Sequence, residues 1–408
     1  MILAMLCGAA LTAVPAQEPA TKTLAPDTGS TRDLAAAEAR GVDILLGLQE
    51  DYDLSEPRGK RRGDSDSSAD RRKPGPEWPY EGVYRESGKA GRVIPPGYRI
   101  GGTSICALAM LESRRFASDE VVQDSVAKAL DFVLEHLKVK AMDSGFSGGY
   151  DVRGWGHTYA LDFLLRLRSL KAVPQKKTKE VDRTVAWLVG VLEETAITGE
   201  TGGWNYARGG DSPSASPFMT APTLMALWEA AHQGEKVDTE LTDKALDALE
   251  ATRLENGSIP YTVGDQSDRF MNLKPGAMGR MAVTEVALSL AGRSSPEHLE
   301  DAVQTFFEHW EQLEVRRRQT GTHIRPYGVA PYYVFFAYRY VALAIAQLPT
   351  DARAKYRALF LEHLFRVQEE SGGWNDRVFD RSENYGTAMS LLALRQPDLP
   401  ALQGPKAR

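Results

Sequence analysis

The sequence predicts an all-α protein in which about six helical hairpins close into a double ring. Three observations carry this expectation. Strand signals are scarce, while helical periodicity runs through the chain. The helices alternate between two kinds, amphipathic ones with a single dry face and ones that are apolar nearly all round. The unit of amphipathic helix, Gly-rich or aromatic loop and apolar helix recurs six times, at intervals of about 45 to 65 residues. An open stack of helix pairs leaves both flanks of each pair exposed. Rods without a wet face therefore belong inside a ring, screened by the half-wetted ones.

Composition sets the outer limits. The 408 residues are 42% hydrophobic and 25% charged, ordinary values for a soluble domain. With 49 basic and 55 acidic residues the net charge is -6, so neither nucleic acid nor an anionic membrane is an expected partner. Two cysteines, Cys7 and Cys106, permit neither a disulfide framework nor a Cys-rich zinc site. No cofactor or metal is expected.

Taken in order, residues 1–16, "MILAMLCGAALTAVPA", read as a signal peptide, with Val14 and Ala16 placed for cleavage before Gln17. The run is too short to span a bilayer. The expected location is therefore exported, periplasmic or extracellular, and Leu6 ahead of Cys7 argues against a lipoprotein. Residues 17–30 form a linker, 31–402 a single ring domain, and 403–408 a tail. Residues 55–77 are a low-complexity insertion of mixed charge that cannot bury enough surface to order itself. The segment from Trp78 to Gly102, rich in aromatics and glycine, suits the rim of the ring.

The apolar rods follow: "TSICALAML" from Thr103, "YALDFLLRL" from Tyr159, "APTLMALWEA" from Ala221, "MAVTEVALSLA" from Met281, "YYVFFAYRYVALAIA" from Tyr332 and "YGTAMSLLAL" from Tyr385. Cys106, inside the first, reads as a buried structural thiol. Between the rods run single apolar stripes: Val181, Val185, Leu188 and Leu192 mark one, and Leu299, Val303, Phe306, Phe307, Trp310 and Leu313 mark another.

One loop motif repeats. "GETGGWNYARGG" (199–210) and "ESGGWNDRVFD" (370–380) share Gly-Gly-Trp-Asn, and "SGGYDVRGWGH" (147–157) is a looser copy. Glycines let the chain reverse sharply, the tryptophan covers the junction between hairpins, and Asn205 and Asn375 can satisfy loop backbone groups. "VQEESGGWND" (367–376) resembles the Q-and-W repeat of squalene and oxidosqualene cyclases and the related prenyltransferase repeat, and "LLGLQED" (45–51) looks like the first half of it. The resemblance implies an (α/α)6 toroid in which the repeat is mainly a stabilising element. It transfers no catalytic residue. The cyclases' Asp-x-Asp-Asp run is absent, since "DSDSSAD" (64–70) lies in the insertion and matches only superficially. An aspartate-rich diphosphate motif is absent too. Ser104 stands where the protein prenyltransferases' zinc aspartate would precede Cys106, and Gly-Cys-Gly-Glu-Gln of the thioester relatives is missing.

Parallel inner helices gather their N-termini, and so their partial positive charge, at one mouth. The loops there supply the expected site. Catalytic candidates are His157, Glu81, Asp151, Glu285 and Tyr385; ligand-binding candidates are Arg153, Trp155, Trp204, Asn205, Arg280, Tyr327, Trp374 and Asn384. Each has a structural reading beside the functional one. His157 can bond a loop carbonyl, Glu81 can pair with Arg85, and Glu285 with Arg280 or water. Asp162 has Arg166 four residues on, a sufficient structural account. The aromatic run Tyr332, Tyr333, Phe335, Phe336, Tyr338 and Tyr340 suits core packing as well as cation stabilisation. The expected function is a binding or scaffold role at the loop-rich mouth, with a small-molecule, glycan or peptide ligand. The alternatives are a divergent terpene cyclase or prenyl-group enzyme, or a glycan-active hydrolase or lyase.

Overall fold

Asp119 and Asp238 each start a charged helix by accepting two backbone N–H bonds from the first turn, at 3.0 and 3.4 Å and at 2.9 and 3.2 Å. Prolines open several others: Pro96, Pro217 and Pro296 each sit at a first helical position, where a missing N–H costs nothing. In this computed structural model residues 33–55, 72–82, 86–88, 91–146, 152–199, 201–206, 214–267, 269–317, 319, 321, 323–376 and 381–406 are described. The segments expected as signal peptide and linker, Cys7, most of the 55–77 segment, Arg85 and Asp151 lie outside them.

The elements run in pairs. α1 (Leu34–Leu48) is followed by the single-turn α2 (Tyr52–Ser55), a hairpin of β1 (Glu86–Gly88) and β2 (Gly91–Val93), and α3 (Pro96–Leu111). Among the described residues this hairpin is the one sheet, apart from isolated bridges, and it falls in the Gly-rich rim segment. Then come α4 (Glu120–His136) with α5 (Arg153–Ser169), α6 (Thr178–Glu194) with α7 (Pro217–His232), and α8 (Thr239–Thr252) with α9 (Lys274–Leu290). α10 (Pro296–Arg317) with α11 (Tyr333–Gln347) and α12 (Thr350–Arg366) with α13 (Glu383–Arg395) complete the series.

The second member of each pair is the apolar rod, and these six pack side by side in the order α3, α5, α7, α9, α11, α13, with α13 returning to α3. That last contact closes the ring. The first members lie outside and bury one stripe each: α4 buries Val122, Val126, Ala129, Leu130 and Val133, while Val121 is 63% exposed. α9, by contrast, is buried continuously from Gly276 to Leu288. Each fully buried aliphatic side chain contributes about 1.5–3 kcal/mol, so the inner rods supply most of the drive. Cys106 is among them, fully buried. The closure is pinned by pairs far apart in sequence. Arg381 clamps Glu50 through two bonds of 2.6 and 3.1 Å. Arg114 reaches Glu38 on one side and Asp398 on the other. Residues 403–406 do not trail away: the Gly404 carbonyl meets His232 Nε2 at 2.9 Å, at the end of α7.

Candidate functional site

The Gly-Gly-Trp loops have a shared construction. The Trp204 indole N–H donates to Leu192 O at 2.6 Å, and Trp374 donates to Leu364 O at 2.9 Å, capping a carbonyl near the end of the preceding outer helix. Each tryptophan's backbone N–H donates to a threonine on the following inner helix, Thr220 or Thr387, at 3.0 Å. Trp78 repeats the arrangement with Leu45 O at 2.6 Å and Thr103 at 2.9 Å, although no glycine pair precedes it. Gly202 and Gly203 take φ of 69° and 87°, and Gly372 takes 92°, the left-handed region that the reversal requires. The three tryptophans are 0–2% exposed, so this is a joint between helices.

The other mouth candidates are similarly engaged. Arg153 donates to Asp143 O and to Phe146 O, and Arg280 donates to Ile259 O at 3.0 Å and to Met271 O. Each buried guanidinium therefore ties down the loop ahead of its own helix. Asn384 donates to Pro79 O at 3.0 Å, and Asn205 to Ser214 O at 2.9 Å. Glu81 accepts from the Arg381 backbone N–H at 3.3 Å. Glu285 is paired bidentately with Arg253 at 2.8 and 2.9 Å and accepts from Ser294 Oγ at 2.5 Å, so Arg253 takes the place expected for Arg280. His157 is fully buried, and its Nε2–H donates to Met142 O at 2.9 Å. Burial pushes its pKa down to about 3, so the imidazole is neutral. Tyr327 is half-buried. Trp155 and Tyr385 join Tyr80 and Tyr98 in a cluster of packed rings, with centroids 4.5 to 6.2 Å apart. Tyr333 and Phe218 stack at 4.4 Å on the opposite side of the ring.

The open space lies at the other end. A cavity of about 450 Å³ runs from the middle of the inner helices to their C-termini, lined by α3, α5, α7, α11, α13 and the segment from Leu399 to Gln403. Its walls are apolar at Ile105, Leu108, Met225, Leu343 and Leu392. Its depth carries Tyr159 and Tyr340, whose hydroxyls are 3.4 Å apart. Five charged side chains line it: Glu112, Asp162, Arg166, Glu229 and Arg339.

Their pairing differs from the sequence expectation. Arg166 does not serve Asp162; it turns to α3 and grips both oxygens of Glu112, one bond measuring 3.0 Å. Glu229 accepts from Gln233 at 2.8 Å, and Arg339 donates to Leu392 O at 3.1 Å and Gln396 Oε1 at 2.5 Å. No hydrogen bond or ion pair to a described residue engages Asp162. Burial raises its carboxyl to about 6; Arg339 opposes the shift, while Glu229 and Glu112 add to it. Sequence reasoning set Asp162 aside because the i,i+4 rule describes an exposed helix face, and α5 has its neighbours on both sides.

No family model matches the chain, and no curated protein matches it either. Solved structures do. The Lin0763 protein of Listeria innocua superposes with a TM-score of 0.53 at 10% identity, over 90% of this chain and 99% of that one. An inactive variant of an alpha-1,6-mannanase of Salegentibacter, in complex with alpha-1,6-mannotetrose, gives 0.50 at 12% identity over 89% and 99%. A possible member of the GH105 family from Klebsiella pneumoniae gives 0.50 at 10% identity over 95% and 99%. Likeness at such identity speaks to the backbone alone, and there it agrees with the closed inner ring of six parallel rods: the chain is an (α/α)6 toroid.

Proposed function

We propose that the protein is an exported binding protein that takes a small amphipathic molecule into the axial cavity at the C-terminal end of its inner helices. The observation that carries this reading is the lining of that cavity: aliphatic walls from several helices together with five charged side chains. The binding role expected at the N-terminal mouth is moved to the opposite end, because the mouth tryptophans, arginines and asparagines hold the loops together. Export rests on the apolar leader. No helix among the described residues is long and apolar enough to cross a membrane.

A glycan-active reading draws on the mannanase, whose complex contains a mannotetrose. It receives less support from the cavity, where Arg166 holds Glu112 and Gln233 holds Glu229, leaving Asp162 without a second disengaged carboxylate for paired acid and base work. The test is direct. Native mass spectrometry of the protein purified from its own host should show a bound small molecule, and Leu343→Trp, which fills the cavity, should abolish it. Retention of that ligand by a folded Leu343→Trp protein sinks the assignment.

A further inference from the structure

We infer that the ligand of the axial cavity is an organic cation, an ammonium or amidinium group on an apolar body, with Asp162 as its counter-ion. This rests on the cavity being the binding site. Three independent features of the lumen converge on positive charge.

The first is the charge arrangement. From α3, Glu112 faces the space already neutralised by Arg166 of α5, which leaves Arg339 of α11 as the one opposite charge in the lining for both Asp162 of α5 and Glu229 of α7. Three carboxylates against two guanidinium groups leave one negative charge in surplus, and Asp162 is the carboxylate that lines the cavity with no hydrogen bond or ion pair to a described residue. A carboxylate in such a place needs a partner, and the space beside it is large enough to hold one. The second is the direction of the helices. The cavity opens where the inner helices end, at Glu112 past α3, in the last turns of α5 and α7, and at Gln396 past α13. Helix C-termini present unpaired carbonyls and partial negative charge, which favour cations. The third is the floor. Tyr159 and Tyr340 place aromatic rings in the depth of the lumen, where ring faces attract a desolvated cation. An anion would meet the reverse of all three.

The experiment uses the full chain and three probes of equal length: decylammonium, decanol and decyl sulfate, titrated by calorimetry below their micelle concentrations. At about pH 8 decylammonium should bind roughly tenfold or more tightly than decanol, the ratio that one ion pair worth about 1.4 kcal/mol gives. Asp162→Asn should remove that preference, so that decylammonium and decanol bind alike. The preference should also shrink in the wild type below about pH 6, as Asp162 takes up a proton. This pH profile tests the same point if the variant folds poorly. Binding of decyl sulfate in preference to decylammonium, or a preference that survives both Asp162→Asn and low pH, overturns the counter-ion while leaving the cavity as the site. Failure of all three probes to compete with the molecule carried from the host, or to bind the empty protein, counts against the cavity itself.

Discussion

At the scale of single residues, two titratable groups, the buried His157 and the half-buried Asp162, set opposing responses to acid. His157 is held neutral in the fold, with its pKa down at about 3 against an ordinary 6.5. As pH falls below 6.5 the unfolded chain takes up this proton and the folded one does not, so the stability present above 6.5 is lost toward 3. Asp162 runs the other way. Its folded value is about 6 against 3.8, so the folded state gains the proton first, and stability falls as pH rises from 3.8 through 6. Two substitutions separate them in denaturant titrations across pH. Asp162→Asn should raise stability near neutrality by about 1–3 kcal/mol, discounted for contact with cavity solvent, and steepen the acid loss. His157→Gln should flatten the acid loss. The role of His157 was partly legible: its place at a helix start next to "GWG" suggested a loop contact, and Met142 supplies it. The role of Asp162 was not, because Arg166, four residues away in sequence, is turned by the fold to Glu112, 54 residues away.

At the scale of elements, the joint between outer helix, loop and inner helix is the repeated part. Its tryptophan and glycines stand out in the sequence because they are rare and adjacent. Its threonine does not, because the loop between them varies: Thr220 is 16 residues beyond Trp204, Thr387 is 13 beyond Trp374, and Thr103 is 25 beyond Trp78. Replacing Thr387 by Val leaves the buried Trp374 N–H without its acceptor. The expected cost is about 1–3 kcal/mol in chemical unfolding, and Thr387→Ser should recover most of it. A smaller effect of Val than of Ser would show that the hydroxyl is not what matters there. Close approach is a second device. The Trp155 ring lies against Gly101 of α3, where an added Cβ would come within 2.4 Å of it. Such contacts let α3 and α5 pack tightly and bring the rings of the N-terminal end together, which is why loops that looked available in sequence are engaged in the fold.

At the scale of the whole molecule, the ring was legible because its two kinds of helix differ over whole elements, and a contrast sustained over fifteen or so residues survives any local ambiguity. Which end holds the open space was not legible. Both ends of a parallel barrel carry loops with polar and aromatic residues, and only packing distinguishes a filled end from an open one. The segment from Leu399 to Gln403 crosses the open end and is fastened beyond it at His232. Removal of residues 399–408 should leave the unfolding midpoint nearly unchanged while speeding ligand exchange severalfold, measured by stopped-flow with a fluorescent amine. Unchanged exchange rates would assign the segment no part in access.

Arg114 holds Glu38 with one hand of its guanidinium and Asp398 with the other. The first and last turns of the ring thus meet at one arginine, and no hairpin is intrinsically first. A gene rearranged so that translation begins at α4 and runs through a short joint from the old end into α1 encodes the same set of neighbours, and the order of the pairs around the circle, not where the ribosome starts, is what such a protein has to inherit.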